Sequence, residues 1–189
     1  MMRIITGSAR GARLVAPKGE TTRPTSERAK EAIFSVLQFE VQGKRVLDLF
    51  AGSGQMGLEA VSRGASFALF IDSSREALAC VRANIAKTRA EDRCECRLCD
   101  ALDFLRGTPT KPFDLVFLDP PYKAQVLVPA LLALAAPGWL SDEATLVAEY
   151  AAEDDLFAGC EALPPKFEQL RTAQYGAARV DVLKVRRER

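Results

Sequence analysis

The stretch DLVFLDPPY, residues 114–122, runs an apolar, strand-like segment straight into an acid, two prolines and a tyrosine. A nitrogen attached to an aromatic ring, such as the amino group of guanine, adenine or cytosine, is a poor nucleophile because its lone pair is delocalised. A carboxylate and a backbone carbonyl held at a strand terminus can accept its two N–H bonds and turn that pair toward an electrophile. Asp119 and the Pro120 carbonyl are placed to act so. Pro120 and Pro121 narrow the backbone choices, and Tyr122 offers a ring for base stacking worth on the order of 1–3 kcal/mol. The same residues would also serve as an ordinary strand-terminating turn.

A second constellation lies upstream in DLFAGSGQMG, where Gly52, Gly54 and Gly57 fit G-x-G-x-x-G between a strand and a helix. Alone, the pattern would suit a dinucleotide. Asp48, four residues before the first glycine, opposes a pyrophosphate and suits a ligand carrying an ammonium and a sulfonium. S-adenosylmethionine is such a ligand. Asp72 ends the next strand-like run, where a carboxylate can accept both ribose hydroxyls, a role shared with dinucleotide sites. Asp100 follows a third run, where it could accept from an adenine amino group, and it also reads as the N-cap of the next helix. Phe50 and Ala51, beside Asp48, and Ala101, beside Asp100, are grouped with these as cofactor-binding residues. Phe104 packs on the adenine or on the core.

The elements that must position these groups follow from periodicity. From residue 45 onward strand-like and helix-like stretches alternate, the pattern of parallel βαβ units. Strands are expected at Arg45 to Phe50, Phe67 to Ile71, Arg93 to Leu98, Phe113 to Leu118 and Thr145 to Tyr150. Helices are expected at Gln55 to Arg63, Arg75 to Lys87, Leu102 to Arg106 and Val126 to Ala135. Two tail runs, Phe167 to Ala173 and Arg179 to Arg186, suit an antiparallel hairpin closing the sheet edge. Ahead of the sheet, RIITGSARGARLVAP reads as a hairpin with a basic tip. Ser26 to Phe39 then forms a helix with Ala29, Ala32, Ile33, Val36 and Leu37 on one face and Thr25 as its cap. An open α/β sheet binds ligands at the carboxyl ends of its strands, and the acids named above stand at four such ends.

Composition narrows the chemistry further. The chain has 189 residues, 48% hydrophobic and 27% charged, as one soluble globular domain requires. No apolar run reaches the ~18 residues of a membrane span, and the first residues lack the apolar block of a signal peptide, so the cytoplasm is the expected compartment. Histidine is absent, which removes the commonest general base and metal ligand. Cys94, Cys96 and Cys99 cluster without a fourth ligand, and alternation on a strand suits them better than a metal; none is expected. Net charge is +1, yet residues 1–45 carry nine Lys/Arg against four Asp/Glu, and residues 46–178 twelve against nineteen. That basic entry is either solvated surface or a contact for a phosphate-bearing partner.

The pairing of DLFAGSG with DPPY resembles the class I S-adenosylmethionine-dependent amino methyltransferases. With RIITGSARGARL, TRPTSERAKEAIFSVL, DLFAGSGQMGLEAVSRGA and the terminal YGAARVDVLKV, the chain is similar over nearly its whole length to the RsmD-type enzymes, which methylate the N2 amino group of a guanine in small-subunit (16S) ribosomal RNA. The resemblance implies a Rossmann-like, seven-stranded, mostly parallel sheet with an antiparallel C-terminal hairpin, preceded by a β-hairpin and helix. It implies a single methyltransferase domain over 1–189, with 1–40 facing RNA and 41–189 forming the cofactor-binding catalytic core. Asp72 stands where the family usually carries the longer Glu, which bears on the ribose contact, and Ser35 replaces a common Asn.

RNA affinity is largely phosphate neutralisation, which gives the basic entry a use. Arg3, Arg10, Arg13, Arg23 and Arg28 are the candidates, with Thr25 grouped beside them and Arg23 first because it lies nearest the helix start. The substrate is ribosomal RNA, free or within a partly assembled subunit, and the target base must be unstacked to be reached. The competing readings are an adenine-N6 or cytosine-N4 methyltransferase of DNA or another RNA, and a ribosome assembly factor without catalysis. No separate target-recognition domain fits the remaining length, which counts against the DNA enzyme. The intact Asp48, Gly52, Gly54 and Asp119 count against a decayed site.

Overall fold

A computed structural model of the chain describes residues 2–17, 27–121, 125–154 and 166–186. One seven-stranded sheet runs through them in the order β3-β2-β1-β4-β5-β7-β6. Its strands are β1 (Arg45–Asp48), β2 (Phe67–Asp72), β3 (Cys94–Leu98), β4 (Phe113–Leu118), β5 (Leu140–Ala151), β6 (Phe167–Tyr175) and β7 (Ala178–Val185). The pairs β1–β2, β2–β3, β1–β4 and β4–β5 are parallel, whereas β7 runs antiparallel to both β5 and β6. The Rossmann-like sheet with an antiparallel C-terminal hairpin is thus as expected.

Helices cover both faces, as parallel strands require. On one face α1 (Glu27–Val36), α2 (Gln55–Ser62), α3 (Arg75–Thr88) and the N-terminal segment share a core with Val46, Phe70, Leu115, Phe117 and Val147. On the other, α4 (Ala101–Leu105) and α5 (Leu127–Leu134) pack on Leu47, Ile71, Val116, Leu118 and Leu146. Central strands are therefore buried on both sides, which is why Val46 and Leu47 on β1 and Leu115 to Leu118 on β4 are consecutive apolar residues. Among the described residues, no helix is long and apolar enough to cross a membrane.

Local chemistry accounts for the helix ends. The Ser74 hydroxyl accepts from the Ala77 amide at 3.1 Å and starts α3, and Arg89, with φ of 54°, ends it. Pro129 sits in the first turn of α5, where its missing N–H has no intrahelical partner to lose.

Several boundaries differ from the expectations. β1 stops at Asp48 because the chain then leaves the ladder: Leu49 still donates to Phe117 at 3.1 Å, but Ala51 donates to Ile71 on the opposite neighbour. β5 begins at Leu140, since its early residues pair with Phe113 across an irregularity in β4. The N-terminal segment holds a hairpin-like pair of chains with a single antiparallel bridge, Arg3 to Arg13. α1 ends at Val36, and its buried side is Ala29, Lys30, Ile33 and Phe34, with Ala32 and Val36 only half-buried. The helix is turned so that Phe34 meets Phe117, ring centroids 5.7 Å apart, and Lys30 finds a buried partner. Its expected cap, Thr25, lies outside the described residues.

Candidate active site

Strand order reverses between β1 and β4, so a crevice opens at their carboxyl ends. Asp48 is the last residue of β1 and only 4% exposed. Its Oδ2 accepts from the Gly57 amide at 3.0 Å. Burial, reinforced by repulsion from Asp72 and opposed by that amide, pushes its pKa up to about 7.

The glycines of the loop serve different ends. Gly52 and Gly54 adopt φ of 53° and 76°, a region that side chains rarely occupy. A Cβ on Gly57 would meet the Phe70 ring at 2.4 Å, so this glycine lets α2 sit directly on β2. The Gly52 amide donates to Asp72 Oδ2 at 2.8 Å, and the Ser74 amide to Asp72 Oδ1 at 2.8 Å. One short acid at the end of β2 thereby braces the glycine loop and the turn into α3, and each oxygen keeps a lone pair for a further donor.

Asp100 is exposed, and its Oδ1 accepts from Leu102 and Asp103 at 2.8 and 3.1 Å, the N-cap geometry of α4. Ala51 is buried in the core beneath the glycine loop, and Ala101 in the core on the opposite face. Phe50 packs at the edge of that second core. Phe104 meets Trp139, centroids 5.1 Å apart, so it belongs to the core side of its two readings.

Across the crevice, β4 ends at Leu118, and the half-buried Asp119, buried Pro120 and exposed Pro121 follow at its rim. Asp119 already engages another group. Tyr122 lies outside the described residues, as does Arg23. Cys94 and Cys96 pack against one core and Cys99 against the other, so the three thiols do not converge. Burial pushes the Cys94 thiol to about 12.

Polar residues within the helices tie the N-terminal segment to this site, and the sequence pattern did not single them out. Glu59 on α2, fully buried, accepts from the Ile5 and Thr6 amides at 2.8 and 3.0 Å. It also meets Lys30 at 3.5 Å and Arg63 at 2.9 Å. The Ser62 hydroxyl donates to the Thr6 carbonyl at 2.6 Å. Asn84 on α3 bonds both the N–H and the C=O of Val15. The one visible hint was a polar residue at core-facing positions of otherwise apolar helices.

The N-terminal segment consequently lies along α2. Met2 sits at the glycine loop, where its sulfur accepts from the Ser53 hydroxyl at 3.0 Å, and Ser8 bonds Ser62 at the far end. Arg3, Arg10, Arg13 and Arg28 are all exposed, and Arg3 pairs with Glu27 at 3.2 Å. Arg10, at the tip, stands about 12 Å down the helix from the crevice.

The crevice is thus walled by acids: Asp48 and Asp72 on the glycine side, Asp119 opposite. Such a set of acceptors disfavours a pyrophosphate and suits a cationic sulfonium and ammonium with ribose hydroxyls.

The family model described as conserved hypothetical protein 95 matches residues 2–184. The ribosomal RNA small subunit methyltransferase D of Escherichia coli is 36% identical over 155 residues, covering 82% of this chain and 77% of that protein. That of Haemophilus influenzae is 34% identical, covering 78% of each. The solved structure of the Escherichia coli protein yhhF superposes with a TM-score of 0.85 at 31% identity, covering 98% of both chains.

Proposed function

The chain belongs to the conserved hypothetical protein 95 family, the RsmD family of ribosomal RNA methyltransferases, and from that premise we propose that it methylates the N2 amino group of a guanine in small-subunit ribosomal RNA, using S-adenosylmethionine. The observation that carries this reading is the placement of Asp119 and Pro120 at the end of β4, across the strand-order reversal from the glycine loop.

S-adenosylmethionine supplies a methyl group on a positively charged sulfur. Asp48, Gly52, Gly54 and Asp72 would hold it, with Phe50, Ala51, Asp100 and Ala101 beside them. Asp119 and the Pro120 carbonyl accept the amino hydrogens of the base and aim the nitrogen lone pair across the crevice. As the nitrogen gains positive charge, the Asp119 carboxylate opposes its cost. The methylated cationic amine is a strong acid and sheds its proton without a dedicated base, which suits a chain lacking histidine. Pro121 stiffens the rim and Tyr122 offers a stacking face for the base.

Residues 1–40 form the RNA-facing part of one methyltransferase domain, and 41–189 its catalytic core. Arg3, Arg10, Arg13, Arg23 and Arg28, with Thr25, follow the phosphate backbone. Because Arg10 stands at the far end of α2, the footprint extends well beyond the target base, which favours a folded or partly assembled subunit as substrate. The enzyme works in the cytoplasm on that particle.

The test is to supply methyl-labelled cofactor with ribosomal RNA, bare and protein-bound, and map the label. Label on the N2 of one guanine supports the reading; label on an adenine or cytosine, or cofactor binding without transfer to any RNA, overturns it.

A further inference from the structure

β4 and β5 run parallel, about 5 Å apart in backbone, and their last pair is Leu118 beside Ala148; the next residues outward are Asp119, just past the end of β4, and Glu149, still within β5. Leu115 and Phe117 on β4 and Val147 on β5 face the side covered by α1 and the N-terminal segment; alternation puts Glu149 on that face, and continuing the β4 alternation one residue past its end puts Asp119 there as well. Glu149 is 6% exposed, one of few acids buried in the sheet.

The orientation of α1 places this acid under the substrate side. Thr145, four residues earlier on the same face of β5, donates to Glu40 just beyond the α1 end at 2.5 Å. From Thr145 to Glu149 the strand rises about 13 Å, and α1 rises about 15 Å back toward its first residue. The start of α1 therefore stands level with Glu149 and Asp119, at the carboxyl end of the sheet.

Amino-bearing bases differ in the atom beside the amino group. Guanine presents N1–H, a donor, next to its N2 amino group. Adenine and cytosine present a ring nitrogen lone pair next to theirs. A carboxylate accepts and cannot donate when ionised. A second acid beside the first thus pairs with guanine's donor–donor edge, and sets lone pair against lone pair with the other two.

We propose that Glu149 is a specificity-determining residue that accepts the N1–H of the target guanine while Asp119 holds its N2 amino group. This rests on the guanine-N2 reading above. Glu149 already engages another group, and an ionised carboxylate, with two oxygens and about four lone-pair sites, can accept from more than one donor.

The test replaces the mapped guanine in the RNA substrate with 2-aminopurine, which keeps the 2-amino group but has a bare N1. Wild-type enzyme should methylate the guanine RNA roughly 10- to 100-fold faster in kcat/KM. In Glu149→Gln the gap between the two RNAs should close, with the 2-aminopurine rate rising and the guanine rate falling modestly, because the amide can turn its NH2 to the bare N1 while its oxygen accepts guanine's N1–H more weakly than a carboxylate does. Equal wild-type rates on both RNAs would overturn the proposal, and need no variant. So would an equal loss on both RNAs in Glu149→Gln, the mark of a merely structural role. Melting temperature and cofactor-induced thermal shift report whether the variant is folded. If wild-type enzyme labels no RNA guanine at all, the underlying function fails instead.

Discussion

Asn84 on α3 donates through Nδ2 to the Ser53 carbonyl of the glycine loop at 2.9 Å, and the same amide holds both polar atoms of the Val15 backbone. One fully buried side chain therefore joins the cofactor loop to the N-terminal segment. Asn84→Ala strands those backbone groups, at a cost of about 2–3 kcal/mol. Melting should fall by roughly 5–10 °C, and weaker cofactor binding should accompany it. Unchanged values of both would show that the loop holds its shape without this bond.

Asp119→Ala should lower the methylation rate by on the order of 10²–10³-fold or more. Cofactor affinity, measured by calorimetry, should stay nearly unchanged, because the glycine loop and Asp72 lie across the crevice. Full activity in this variant would remove Asp119 from the mechanism.

The buried Asp48 carboxyl keeps a proton up to about pH 7 that the unfolded chain loses near 3.8. Stability of the cofactor-free protein should therefore decrease as pH rises through that window and level off above it. A cationic cofactor favours the ionised acid, so its affinity should rise with pH by up to about tenfold per unit below 7, with proton release. Asp48→Asn should flatten both dependences, as read by melting curves and by titrations in buffers of different ionisation heat.

Glu59 and Lys30 form a buried pair with unequal support. Glu59 also accepts two backbone amides and faces Arg63, whereas Lys30 Nζ has the Arg3 carbonyl at 2.6 Å as its further partner. Glu59→Ala should cost about 3–5 kcal/mol, because it strands a charge in the core, and Lys30→Met should cost much less. Desolvation, partly offset by Glu59, lowers the Lys30 pKa. Wild-type stability should thus rise with pH between that lowered value and 10.5, a slope that Lys30→Met removes. Equal melting temperatures for the two variants would refute the asymmetry.

Much of this architecture is written locally. The alternation from residue 45 onward places every strand within a few residues, because a side chain's facing follows from the period of its own backbone. DPPY and the glycine loop are local too: their chemistry is carried by adjacent residues at one strand end. Even the Asp100 cap was one of two readings legible from three consecutive positions.

Other features arise only when distant segments meet. Periodicity assigned the α1 face to Ala32 and Val36, and could not foresee that Lys30 would be buried, since a lysine enters a core only where an acid from another helix awaits it. Asn84 gains its role from two backbone segments that no helical pattern contains. The proposed pairing of Asp119 with Glu149 rests on the register of β4 against β5, whose last pair is Leu118 with Ala148, and a slip of one residue would turn one acid to the opposite face. The amino acids alone determined which groups can do chemistry; the tertiary fold decided which of them stand together, because register and burial are properties of contacts between segments.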